Sequence, residues 1–166
     1  MYNIGRIHPL LKSYSANMQD VSRIPIRLKI VTGTYILQTH RAKYSNGTAV
    51  SPLCTLWHRA DENLQHFVLS CDALQTTRAL LLQNIITERS RVFDQIAHSI
   101  DLLQLIINPF GYISSKTENE ITLAISKCLE PLCRHILYKL HNKRYELLEK
   151  MGKTKQKCRK TQLQCA

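Results

Sequence analysis

The chain has 166 residues, of which 44% are hydrophobic and 21% are charged, and its formal net charge is +11. This composition is typical of a globular protein and excludes a chain that is disordered throughout. No apolar run approaches the ~20 residues that span a bilayer, and the segment from Met1 to Leu11 lacks the continuous apolar centre of a secretory signal. We therefore expect an intracellular protein, nuclear or cytoplasmic, without a membrane partner.

The first part of the chain predicts two helices after an N-terminal segment, residues 1–19. From Asp20 to Val31 apolar residues recur mostly at helical intervals. Thr32-Gly33-Thr34 predicts a helix stop and a new start, because glycine tolerates the positive φ at which many helices end. Residues 35–42 are predicted to form the second, shorter helix.

Next comes a group of possible metal ligands, in which Cys54, His58, His66 and Cys71 fall within 18 residues. The pattern C-x3-H-x7-H-x4-C supplies four ligands, enough for a tetrahedral zinc site. In a second interpretation, Trp57 stands where Cys54-x-x-Cys would place another thiolate, and three ligands remain. A third interpretation has no metal, with a buried Cys54, an exposed His58 and a hydrogen-bonded His66. The spacing alone leaves these alternatives open.

The rest of the chain predicts further helices, with apolar residues at helical spacing in 62–71, 74–86, 93–107 and 121–140. The polar run 87–91 predicts a break or an exposed turn, and Pro131 predicts a kink or a new helix start. Residues 151–166 are predicted to be a basic, disordered tail. The sequence thus predicts a mainly α fold, a helical bundle over residues 20–150 with a small zinc-finger-like module embedded at 52–72.

Positive charge is concentrated at the two ends of the chain. Residues 1–48 carry a net charge of +6 and residues 139–166 carry +7, whereas the centre carries −2. Such ends can bind the phosphates of RNA or DNA, because displaced counterions favour association; they are equally typical of a solvated helix face and a solubilising tail. The candidate nucleic-acid contacts are Arg23, Arg27, Lys29, Arg41, Lys43, Trp57, Lys153, Lys155, Lys157, Arg159 and Lys160.

Several of these motifs together resemble the C-terminal zinc-binding region of reverse transcriptases encoded by non-LTR retrotransposons. The resemblance covers most of residues 20–150. It is carried by the basic, apolar approach to Thr-Gly at 27–33, the segment 35–42, the finger from Pro52 to Cys71 and the basic stretch 140–148.

That resemblance implies zinc as the cofactor, held by Cys54, His66 and Cys71, with Trp57 in place of the family's second cysteine. His58, the adjacent residue, is then the candidate fourth ligand. In the family this region follows the polymerase and is thought to help hold template RNA or target DNA. The resemblance therefore implies a detached fragment or domesticated remnant, with a parent polymerase domain as a possible partner.

The leading functional hypothesis is a nucleic-acid-binding accessory module with a degenerate zinc knuckle. The alternative is a non-catalytic interaction or structural remnant that no longer binds zinc. We do not expect an enzyme, because the chain has no paired-aspartate polymerase motif and no endonuclease region. Cys133 and His135 lie two residues apart on a predicted helix and so point to different faces, and Glu62 is the only base near the finger.

Overall fold

The computed structural model describes the backbone of residues 18–45, 49–93, 100–113 and 118–164, and most of the side chains up to residue 152. The α-helices are α1 (Met18–Val31), α2 (Gln38–Tyr44), α3 (Gln75–Phe93), α4 (Leu102–Ile107), α5 (Glu118–Ala124) and α6 (Glu130–Gln164). Within these ranges there is no strand, and an isolated bridge joins Leu53 and Asp61. The predicted mainly α fold class is confirmed. None of the described helices is long and apolar enough to cross a membrane.

The chain forms two compact units. One contains Met1–Tyr35 and Arg78–Tyr138, and the other contains Ile36–Thr77 and Lys139–Ala166. The core of the first unit includes Ile85, Leu105, Ile106, Ile125, Leu129, Ile136 and Leu137. The core of the second, which we call the finger unit, includes Leu37, Phe67, Val68, Leu74 and Leu140. The sequence, by contrast, predicts a single helical domain over residues 20–150. Helical spacing indicates where helices lie, but it does not reveal that segments distant in the sequence combine in each unit.

The first two helices follow the prediction closely. α1 ends at Val31, and Gly33 has a φ of +69°, the left-handed value expected after a helix end. α2 begins at Gln38 rather than at residue 35, because Tyr35 and Leu37 are buried in the extended stretch before it. The sequence Ser45-Asn46-Gly47-Thr48 also predicts a turn, of which only Ser45 lies within the described residues.

The predicted break at residues 87–91 does not occur. α3 runs without interruption from Gln75 to Phe93. Glu and Arg are good helix formers, and Glu88 pairs with Arg91 one turn later at 2.8 Å. The helix predicted for 93–107 is described only as α4, since residues 94–99 lie outside the described part of the chain.

The C-terminal helical segment is longer than predicted. α5, a π turn at Ile125–Leu129 and α6 follow one another directly, so the helical backbone continues past Pro131. The π turn ends at Leu129, two residues before the proline, which lacks the N–H of a regular α turn. α6 continues to Gln164, contrary to the disorder predicted for 151–166, because Lys, Arg, Gln and Leu favour helix and extending a helix requires no new nucleus.

Candidate metal centre

A closed loop, residues 52–62, places Cys54. The Cys54 N–H donates to the Ala60 carbonyl at 2.8 Å, and the Glu62 N–H donates to the Pro52 carbonyl at 2.9 Å. The His58 N–H in turn donates to the Cys54 carbonyl at 2.8 Å, with a φ of +59° at His58. These hydrogen bonds fix the Cys54 backbone on both sides. We call this segment the Cys/His loop.

A π turn places His66 and Cys71. The predicted helix 62–71 begins only at Leu64, and residues His66–Ser70 form the π turn, in which the Cys71 N–H donates to the His66 carbonyl at 2.8 Å. This i→i+5 bond brings the ends of the H-x4-C motif together, which regular α-helical spacing does not. Asn63 caps the helical segment that begins at Leu64 and leads into the turn, since its Oδ1 accepts the His66 N–H at 2.8 Å.

Cys54, His66 and Cys71 converge in the finger unit as a group that can hold a metal ion. Their ligand atoms all lie within 4.8 Å of one another, and the two sulfurs are 3.8 Å apart. The three residues are only 1%, 5% and 1% exposed. The His66 Nε2 is buried without a hydrogen-bond partner, an unfavourable state that a bound cation would relieve. We call these three residues the Cys/His cluster.

Backbone amides stabilise the sulfurs of the cluster. A hydrogen bond from the Cys71 thiol is the main cause that lowers the pKa of Cys54, against the opposing effect of burial. N–H groups of Leu56 and Trp57 also donate to the Cys54 sulfur and lower its pKa. The pKa of Cys71 is raised, chiefly because its proton is shared with Cys54 and it is buried, although N–H groups of Ala73 and Leu74 oppose this. Without metal, these interactions favour a proton on Cys71 over a proton on Cys54.

Neither Trp57 nor His58, the two residues that the sequence-based alternatives for the fourth ligand involve, belongs to the cluster. Trp57 is partly buried, and its ring stacks on the His66 imidazole with centroids 5.5 Å apart and an interplanar angle of 16°. His58 is exposed and does not belong to the group of clustered ligand atoms. Its assignment as fourth ligand stays a prediction that this geometry does not support.

A buried ion pair joins the Cys/His loop to α6 within the finger unit. Arg144 donates to Glu62 through Nε at 2.8 Å and through Nη2 at 2.9 Å, one bond to each carboxylate oxygen. The Gln38 N–H adds a third bond to the same carboxylate at 2.9 Å. Glu62, the base considered from the sequence, is thus 1% exposed and fully engaged in structural hydrogen bonds.

Sequence reasoning missed this ion pair and the Asn63 cap. The cap has a recognisable signal, an Asn three residues before a helical ligand. The ion pair has none, because Glu62 and Arg144 are 82 positions apart.

Of the predicted nucleic-acid contacts, Arg27 requires correction. Arg27 is 2% exposed, and its Nη1 donates to the Ile106 carbonyl in the core of the first unit. It lies on the buried face of α1, so it is removed from the candidate phosphate contacts. Burial is also the main cause that lowers its pKa.

The remaining basic candidates are placed as follows. Lys29, Arg41 and Lys43 are exposed, and Arg23 is half-buried. The Lys43 ammonium lies 5.5 Å from the centre of the exposed Tyr44 ring. The side chains of Lys153, Lys155, Lys157, Arg159 and Lys160 lie outside the described residues, although their backbone belongs to α6.

Cys133, considered from the sequence together with His135 as a possible nucleophile pair, lies in the first unit. Burial raises the pKa of Cys133 to about 12, and its thiol points to the Leu105 carbonyl at 3.7 Å. A thiol held protonated in this way is the opposite of an activated nucleophile.

Comparison of the chain with known proteins adds no relative: no family model, curated protein or solved structure matches it. The retrotransposon resemblance accordingly depends on the motifs in this sequence alone.

Proposed function

We propose that this chain is a zinc-binding accessory module of retrotransposon reverse-transcriptase origin that binds RNA or DNA and has no polymerase chemistry of its own. The observation that carries the proposal is the composition of the finger unit. That unit contains both the Cys/His cluster and residues 139–166, which hold nine Lys or Arg and two Glu. The Glu62–Arg144 ion pair connects these two parts directly.

Zinc is the metal that best suits the cluster. Two thiolates and one imidazole are soft or borderline donors, which suit Zn²⁺ and disfavour Mg²⁺ and Ca²⁺. The backbone N–H groups at both sulfurs stabilise the negative charge that metal binding requires. We expect one zinc per chain by native mass spectrometry, lost on chelation and absent from the Cys71→Ser variant. Cys128→Ser, which alters a half-buried cysteine of the other unit, is the matched control and should keep the zinc.

The nucleic acid is expected to bind through phosphates, chiefly along residues 139–164 of α6. Fluorescence anisotropy with a single-stranded RNA should therefore show an affinity that falls steeply with salt. Replacing Lys153, Lys155, Lys157, Arg159 and Lys160 with Gln should reduce the slope of log K against log salt by up to ~3.5, about 0.7 per lost contact.

The control for that experiment is Lys127→Gln, which removes an exposed charge of the first unit. It should leave the slope unchanged. Salt-independent binding, or no binding at micromolar protein, would exclude the nucleic-acid proposal.

One observation favours the second candidate function, a helical interaction or structural module that has lost its metal. The Cys54 and Cys71 sulfurs already share a hydrogen bond at 3.8 Å, so both have a hydrogen-bond partner without an ion. This candidate predicts that the purified protein contains no zinc and keeps its full helicity after chelation. The same mass spectra, with circular dichroism before and after chelator, decide between the two.

A further inference from the structure

The Cys/His cluster provides one ligand fewer than a closed zinc site requires. Structural zinc sites have four protein ligands in tetrahedral geometry, whereas sites that accept an external molecule have three. Among the described residues, only Cys54, His66 and Cys71 form the group.

The neighbouring donors are committed elsewhere. Both Glu62 oxygens accept hydrogen bonds, from Arg144 and from the Gln38 N–H. His58 is exposed and outside the group, and its backbone is fixed by the bond from its N–H to the Cys54 carbonyl. Since no other residue in the described part of the chain joins this group, a tetrahedral ion here would complete its coordination from solution.

The side chain at position 57, where a Cys-x-x-Cys motif starting at Cys54 would have its second thiolate, also suits an open site. Trp57 has no atom that ligates zinc, and its partly exposed ring lies face to face with the buried His66 imidazole. The ring holds the imidazole in place and separates it from bulk solvent. An external donor would have to reach the ion past the edge of this ring, and a bulky chelating group would have to displace the indole.

The charge of the site indicates which donors it would accept. The charges of two thiolates balance that of a divalent ion, so the occupied site has no net charge. A neutral external donor keeps it so, whereas a charged donor would add an unbalanced charge to a buried site. We infer that the metal ion held by Cys54, His66 and Cys71 keeps one exchangeable coordination position for a small monodentate nitrogen or sulfur donor, with water there otherwise. This inference depends on the metal binding proposed above. The exchange is a ligand substitution in which the donor enters and water leaves, without redox change.

The test uses the 166-residue chain loaded with Co²⁺, whose visible absorption reports its coordination, and imidazole as the probe. The wild-type spectrum should shift saturably as imidazole is added. Trp57→Cys supplies a fourth thiolate at C-x-x-C spacing, so it should bind Co²⁺ more tightly and lose the shift. Trp57→Phe keeps an aromatic ring without adding a ligand and should retain the shift, as should His58→Ala.

The outcomes separate this inference from the metal proposal. Co²⁺ binding without an imidazole-dependent shift in the wild type would overturn the open position and leave metal binding intact. A shift that appears only in His58→Ala would also overturn it, by identifying His58 as the fourth ligand. Failure of the wild type and of Trp57→Cys to bind Co²⁺, with both folded by circular dichroism, would overturn the metal proposal itself.

Discussion

Glu62 and Arg144 are the charged residues on which the position of the Cys/His loop most depends. Both are almost fully buried, at 1% and 3% exposure, and they meet in a bidentate arrangement. Removing two charges from water is costly, and only this geometry offsets the cost. The pair therefore contributes little as a unit, but either residue without the other is strongly destabilising.

Glu62→Gln should accordingly lower the free energy of unfolding by roughly 3–5 kcal/mol, because it leaves the Arg144 charge buried without its counterion. Urea denaturation followed by circular dichroism measures this. Glu146→Gln is the matched control, since Glu146 pairs with Lys143 and Lys150 at the exposed surface of the same helix. It should have little effect. If the double variant Glu62→Leu, Arg144→Leu were as unstable as Glu62→Gln, the buried-charge explanation would be wrong.

Arg27 gives a second prediction at this scale. Its guanidinium is in the core of the first unit, so Arg27→Met should leave RNA affinity and its salt slope unchanged. Arg41→Met removes an exposed guanidinium and should lower both. Anisotropy titrations at two salt concentrations compare the variants. A loss of affinity in Arg27→Met equal to that in Arg41→Met would contradict the assignment of Arg27 to the core.

At the scale of single elements, the π turn His66–Ser70 brings His66 and Cys71 together, and Asn63 caps the helical segment that leads into this turn. Asn63→Ala should cost about 1 kcal/mol of stability through the lost cap. It should also weaken zinc binding, because His66 is the residue whose N–H the cap holds. Competition with a chromophoric chelator measures the affinity.

Asp101→Ala is the control for the cap. Asp101 accepts the Gln104 N–H at 2.8 Å at the start of α4, in the other unit. Its loss should cost a similar free energy and leave zinc affinity unchanged. Equal zinc affinities for the two cap variants would show that the cap does not position His66.

The sequence predicts element type better than the details that form the site. Helical spacing predicts α1 itself, and Gly33 correctly marks its end. It does not identify the buried face of that helix, since Val21 is exposed and Arg27 is buried. Spacing also identifies Cys54, His66 and Cys71. It does not predict the π turn, because the i→i+5 bond depends on packing around the turn rather than on residue type. Nor does it show that Trp57 stacks on His66, which requires the loop closure formed by the Cys54 and Glu62 backbone.

At the scale of the whole molecule, the two units contain different kinds of polar group in their interiors. The first unit buries Arg27 and the Glu130–Arg134 ion pair among its apolar residues. The finger unit depends on the Cys/His cluster and on the Glu62–Arg144 pair. The sequence could not predict this division, because α3 and α6 each contribute residues to both units, and no linker composition marks a boundary between them.

Metal removal should therefore affect the two units unequally. A bound ion would link Cys54 in the Cys/His loop to His66 and Cys71 at the ends of the π turn. Because chelation removes this link, the finger unit should open more readily without the ion. Hydrogen exchange with mass spectrometry should show faster exchange in peptides from residues 49–77 after chelation. Peptides from α4 and from residues 120–138 should keep their protection, because the core of the first unit includes no cluster residue. Equal loss of protection in both sets of peptides would contradict the independence of the first unit.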